Sequence, residues 1–194
     1  DLRTSRGLGD VYKRQVLASR PLTPIHIKNS YAAETPVTDG ERVYAYFGSH
    51  GLYCLDKTGK KLWEKMFKPY EMRNGWGTGA SPIIEGDQLI IVNDNMEESW
   101  LAGFNKITGK KLWKTKREEP SNWSTPFVWK HNGISELILT GRNQTRSYDL
   151  VGNERWRLKW KSRTSIVIPT PFEAHGLLYI ASGYVGDREK HVYA

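Results

Sequence analysis

A Ser/Thr-Pro pair recurs four times along the chain, at Thr35-Pro36, Ser81-Pro82, Thr125-Pro126 and Thr170-Pro171, with successive spacings of 46, 44 and 45 residues. Each pair is followed by a short hydrophobic run, and three copies continue through an Asp or Asn and a Gly-containing turn to a Trp. A period in the forties filled with strand-like runs predicts one four-stranded unit per repeat. Such a unit is apolar on both faces, so it must stack against neighbours of its own kind.

The first repeat divides into strand A over Thr35–Thr38, B over Arg42–Phe47, C over Leu52–Asp56 and D over Lys61–Phe67. In the second, the same strands fall at Ser81–Ile84, Gln88–Asn93, Leu101–Asn105 and Lys111–Lys116, and the third ends on Glu154-Arg155-Trp156-Arg157. A fourth starts at Thr170, and Val192-Tyr193-Ala194 fall where the other copies enter strand C. The fold class expected is therefore all-β: a partial β-propeller of four-stranded antiparallel blades, about three complete plus a truncated fourth.

Gly59, Gly109 and Gly152 each stand four residues before Trp63, Trp113 and Trp156. Glycine supplies the positive φ that a tight C-to-D hairpin requires, and the fixed spacing points each Trp the same way off strand D. These six residues are expected to be structural, with each Trp buried between its blade and the next. The B runs Leu89-Ile90-Ile91-Val92, Leu137-Ile138-Leu139 and Leu177-Leu178-Tyr179-Ile180 are continuously apolar, as befits a strand covered on both faces. Proline just inside strand A suits a strand at the sheet edge, lining the axis.

The stretch from Asn105 to Trp113, with Thr108-Gly109 at its centre, resembles the tryptophan-docking motif Asp-x-x-Thr-Gly-x-x-x-Trp of pyrroloquinoline-quinone-type (PQQ-like) propeller repeats. The second copy has Asn in place of Asp, the first is one residue shorter from Asp56 to Trp63, and the third has Val151 in place of Thr. The resemblance spans residues 33–194. It implies a family of quinone-dependent dehydrogenases, outer-membrane assembly scaffolds without quinone, and further secreted proteins, and with them a periplasmic or otherwise extracytoplasmic location.

The expected division is a non-native or disordered tail over 1–15, a lead-in over 16–32 and the propeller portion over 33–194, with blades near 33–68, 78–118, 123–160 and 167–194. At about 45 residues per blade, a closed ring of seven or eight needs on the order of 300 to 400 residues, so a 194-residue chain reads as a fragment. The net charge of +8 resides largely in Lys60-Lys61, Lys110-Lys111 and Arg155–Arg163 on D strands. That pattern reads as charged outer strands that discourage edge pairing rather than as a nucleic-acid surface. Cys54, the single cysteine, allows no internal disulfide and reads as a buried thiol. No apolar run approaches the roughly twenty residues of a membrane-spanning helix.

With strand directions alternating, the D-to-A and B-to-C loops share one face of the disc, and these are the longer and chemically richer connections. Irregular loops on a rigid scaffold are where binding groups concentrate. The candidate ligand face comprises Arg73, Asn74, Trp76, Asp94, Asn95, Trp123, Arg142 and Arg163. Trp76 and Trp123 either stack on a ligand ring or wedge adjacent blades; Arg142 and Arg163 either recognise an anion or bridge blades. The run Asn93–Glu98 is oxygen-rich but lacks the spacing and the Gly of a Ca²⁺ loop, and the five histidines show no ligand spacing, so no metal is assigned.

Nucleophile-elbow, phosphate-loop, Cys-x-x-Cys and His-Glu-x-x-His motifs do not occur. The family resemblance implies that a quinone enzyme would clamp PQQ between a Trp and a disulfide of adjacent cysteines, with Ca²⁺ on Glu, Asn and Asp and an Asp as base. No cysteine pair and no matching Asp is found here. The leading expectation is a non-catalytic propeller scaffold, without cofactor, that binds a protein or small molecule on the loop-rich face. The alternatives are a portion of a PQQ- and calcium-dependent alcohol or sugar dehydrogenase, or an outer-membrane assembly scaffold.

Overall fold

The computed structural model describes residues 22–161, 166–184 and 186–194; the expected tail over 1–15 and Arg163 lie outside them. The first blade contains β1 (Val37–Thr38), β2 (Arg42–Tyr46), β3 (Leu52–Asp56) and β4 (Lys61–Lys65). The second contains β5 (Ile83–Glu85), β6 (Gln88–Asn93), β7 (Trp100–Asn105) and β8 (Lys111–Lys116). The third contains β9 (Phe127–His131), β10 (Ile134–Thr140), β11 (Gln144–Tyr148) and β12 (Glu154–Lys159). The fourth sheet has three strands, β13 (Phe172–Ala174), β14 (Leu177–Ala181) and β15 (Val192–Tyr193), so the A, B and C strands are present as read from the repeat. All neighbours pair antiparallel, in chain order, and the one helical turn among the described residues is a 3₁₀ turn at Arg73–Gly75.

Each A strand begins directly after its proline, because Pro36, Pro82, Pro126 and Pro171 have no N–H to place in a ladder. The hydroxyl before the proline has a different task. Thr35 N donates to Ser81 Oγ at 2.9 Å, and Ser81 N donates to Thr125 Oγ1 at 3.0 Å, so the landmark residues hydrogen-bond blade to blade at the hub.

The continuous apolar B strands are explained by two cores. Leu89 and Ile91 pack with Tyr44, Tyr46, Leu52, Trp100 and Phe104 against the first blade. Ile90 and Val92 turn the other way, to Leu137, Leu139 and Tyr148 of the third. Alternate side chains of one strand thus enter opposite interfaces.

In the C-to-D turns the motif's first residue acts as a hydrogen-bond hub. Asp56 Oδ1 accepts from the N–H groups of Thr58 and Lys60, Asn105 Oδ1 from those of Ile107 and Thr108, and Asp149 Oδ1 from those of Val151 and Asn153. An amide oxygen replaces a carboxylate oxygen here, which is why Asn105 conforms. A register shift follows in every C–D pair, placing Trp63 opposite Cys54, Trp113 opposite Gly103 and Trp156 opposite Ser147. The small residue leaves room for the ring: a Cβ on Gly103 would lie 2.4 Å from Trp113 Nε1. Cys54 is fully buried in that setting, and burial pushes its thiol up to about 11.

Candidate functional site

The docking tryptophans come first because they fix the blades on which any site is built. The Trp63 ring lies over Gly109 of the next blade, where a Cβ would approach it to 2.8 Å, and its Nε1 donates to Lys106 O at 3.2 Å. Trp113 lies over Gly152 in the same way, at 2.5 Å, and its Nε1 donates to Gln88 Oε1 while Gln88 Nε2 donates on to Leu150 O. Trp156 instead donates to Glu136 Oε2 at 2.7 Å. All three rings are half-buried, not fully buried as the repeat pattern suggested, because D is the outermost strand and one ring edge stays wet.

Asp94 and Asn95 are turned inward and present nothing to a ligand. Asp94 is 4% exposed; Arg117 Nε donates to its Oδ1 at 2.7 Å and Arg117 Nη2 to its Oδ2 at 3.0 Å. Arg117 Nη1 donates to Tyr148 Oη of the third blade at 2.7 Å. Burial alone would favour loss of the guanidinium proton, but Asp94 outweighs it and raises the pKa of Arg117. Asn95 Oδ1 caps its own loop by accepting from the Glu97 and Glu98 N–H groups. Behind this pair, Arg146 Nη1 meets Glu119 Oε1 at 3.2 Å, and Arg142 N donates to Glu119 Oε2 at 3.1 Å. Burial raises the Glu119 pKa although Arg117 and Arg146 both lower it. Gly141 is required by the close approach, since a Cβ there would stand 2.4 Å from the Glu119 carboxyl. Arg117, Glu119 and Arg146 were not singled out from the sequence. Arg117 ends a run that reads as a solvated basic strand, and its burial depends on an acid 23 residues earlier.

Four of the candidates on the loop-rich face, Arg73, Asn74, Trp76 and Trp123, do converge. Trp76 and Trp123 lie 5.9 Å apart at an interplanar angle of 43°, the Arg73 guanidinium stands 6.0 Å over Trp76, and His26 meets the edge of Trp76 at 6.0 Å. Asn74, with φ of 54°, makes the turn between Arg73 and Trp76. Trp123 also joins neighbouring segments, its Nε1 donating to Gly77 O at 2.8 Å and its backbone N to Val167 O at 3.2 Å. The same ring also lines an open cleft. Around the two rings, Ile166, Ile168, Tyr184 and Lys28 complete an open cleft of about 590 Å³. Arg142 lies outside the cleft lining, and its Nε has no hydrogen-bond partner among the described residues.

No group of three or more His, Cys, Asp or Glu among the described residues is placed to hold a metal ion. Asp94 is already saturated by Arg117, and Cys54 sits beneath Trp63 on strand C. No helix among the described residues is long and apolar enough to cross a membrane.

Comparison with solved structures finds BamB from Moraxella catarrhalis at a TM-score of 0.57 and 16% identity, covering 78% of this chain and 41% of that one. A quinohemoprotein alcohol dehydrogenase from Comamonas testosteroni aligns at 0.49 and 13% identity over 76% of this chain and 31% of its own. A europium-containing methanol dehydrogenase aligns at 0.45 and 17% identity over 64% and 24%. The chain thus spans about two fifths of the length of that BamB. No curated protein matches it in sequence. Residues 13–128, more than half of the chain, match the family described as outer membrane protein assembly factor BamB, and with its repeated docking motif the chain belongs to that family of PQQ-like propeller repeats.

Proposed function

We propose that this chain is a non-catalytic, extracytoplasmic scaffold that holds a protein or small ligand on its loop-rich face, in the cleft between Trp76, Trp123, Ile168 and Tyr184. The observation that carries this reading is how the face is partitioned. Two of its acids are bound within the protein, Asp94 by Arg117 and Glu119 by Arg146, whereas its aromatic rings line an open cleft of a size usual for binding sites. Aromatic rings offer large contact area at low conformational cost, so they suit recognition without chemistry. Protein interaction also accords with membership of a family described as an assembly factor.

The test is a titration with two probes, followed by the indole NMR signals of Trp76 and Trp123. An extended, aromatic-bearing peptide should shift both signals saturably, and Trp76→Ala with Trp123→Ala should abolish the effect. PQQ with Ca²⁺ should give no saturable shift. Micromolar PQQ binding lost in the same double variant, with the peptide inert, refutes the scaffold reading in favour of a quinone enzyme.

A further inference from the structure

A second cleft lies at the periphery, between the end of β4 and the strand pair β7–β8, and shares no lining residue with the cleft of Trp76 and Trp123. It has a volume of about 240 Å³. Trp100, Ala102 and Phe104 occupy alternate positions of β7 and so point the same way, toward the first blade, where all three pack in the shared core. Ala102, the small member, leaves a depression between two rings. Phe67, just beyond β4, closes it with ring centroids 5.3 Å from Trp100 and 5.9 Å from Phe104.

Four lysines stand around this aromatic floor: Lys65, Lys68, Lys111 and Lys114. Antiparallel pairing brings Lys114 opposite Ala102 and Lys111 opposite Phe104, so two lysines of the basic outer strand flank the blade interface. Lys68 Nζ is 2.7 Å from Glu97 Oε2, and Lys114 Nζ is 2.9 Å from Glu98 Oε1; the same amines sit 5.3 Å over Tyr70 and 5.4 Å over Trp100. Lys65 and Lys111 have no ion pair among the described residues. Trp100 is 3% exposed and its buried Nε1 has no acceptor among the described residues.

We propose that this rim cleft binds an acidic-aromatic segment of a partner protein: one aromatic side chain on the floor of Phe67, Trp100 and Phe104, flanked by carboxylates paired with Lys65 and Lys111. The volume suits a single side chain rather than a cofactor. Two lysines without acids, beside two already neutralised, give the cleft a net positive potential that an acidic segment complements. A ring in the depression packs on Phe67, the half-buried member of the cluster that covers Trp100 and Phe104. This proposal is independent of what the axial cleft binds.

The test uses the blocked peptide Ser-Glu-Phe-Asp-Gly-Ser in calorimetric titrations of the chain. Lys65→Gln with Lys111→Gln should weaken binding about tenfold, as loss of two partly exposed charge pairs does. Lys60→Gln with Lys110→Gln removes the same charge elsewhere on the rim and should leave affinity within about twofold. A peptide with Ala in place of Phe should bind at least about tenfold more weakly, and one with Gln and Asn in place of the acids should lose the salt dependence. All four lysines are polar, solvent-facing side chains, and circular dichroism checks that the variants fold. The proposal is overturned by absence of saturable binding up to about 1 mM, by equal effects of the two lysine pairs, or by equal binding of the Ala peptide.

Discussion

Replacing Gly152 by Ala measures blade docking with an internal control. Gly152 has φ of +88° in the C-to-D turn of the third blade, and an added Cβ would stand 2.5 Å both from the Trp113 ring and from Thr115 Oγ1. Gly40 has the same φ of +88°, in an A-to-B turn, with nothing within 4 Å of its hypothetical Cβ. The backbone cost of placing an L-residue there is common to both, about 1–2 kcal/mol. Gly40→Ala should show only that cost. Gly152→Ala must also move Trp113 and its hydrogen bond to Gln88, an overpacking cost of about 1–3 kcal/mol, and so should be destabilised by roughly 2–5 kcal/mol in total. Urea unfolding followed by far-ultraviolet circular dichroism, compared at unchanged m-value, gives both numbers. In a Trp113→Ala background the excess should shrink to the part due to Thr115 Oγ1, because the ring is gone. Excess destabilisation below about 0.5 kcal/mol in the parent background would refute the docking argument, since that is the scatter expected for independent sites.

Trp113→Ala itself should cost about 3 kcal/mol in the same assay, the low end for large aromatic truncations, because the ring is half-buried. Arg117→Met should cost about 3–5 kcal/mol by leaving Asp94 buried and unpaired, and adding Asp94→Leu should recover much of the loss. The carboxyl of Asp56 is held below the usual range by the Thr58 hydroxyl and then by the Lys60 N–H. Its contribution is therefore complete above the unfolded carboxylate value and lost as pH falls through the lowered folded value. Asp56→Asn should flatten that acid limb of the melting temperature, as Asn105 already does for the second turn.

The strands were legible because three signals coincide: the period, the proline that bars pairing before each A strand, and the continuously apolar runs within the B strands. The like placement of Trp63 over Gly109 and Trp113 over Gly152 follows the same period. Chemistry on the loops was harder to read. Asp94 and Asn95 resemble ligand oxygens in sequence, but whether an oxygen faces water depends on Arg117, which is contributed by a different strand. The lysines of β8 look uniformly solvated, yet the register of β7 against β8 brings Lys111 and Lys114 alongside the interface with the first blade. Trp76 and Trp123 were found as a pair of candidates; that a single Trp123 ring both joins segments and lines a cleft follows only from where its N–H points.

The hub hydrogen bonds through Ser81 acquire a further meaning beside the tryptophans. Neighbouring blades are fastened at two radii, near the axis by Thr35 to Ser81 and Ser81 to Thr125, and far from it by Trp63 on Gly109 and Trp113 on Gly152. Two fastenings of fixed length at different radii define an angle, as ribs and spokes do in a fan. The curvature of the stack is thus encoded locally, one pair of blades at a time. A longer side chain in place of Ser81 would open the angle at the hub, and a Cβ on Gly109 would open it at the rim, bending the row in opposite senses without altering any strand.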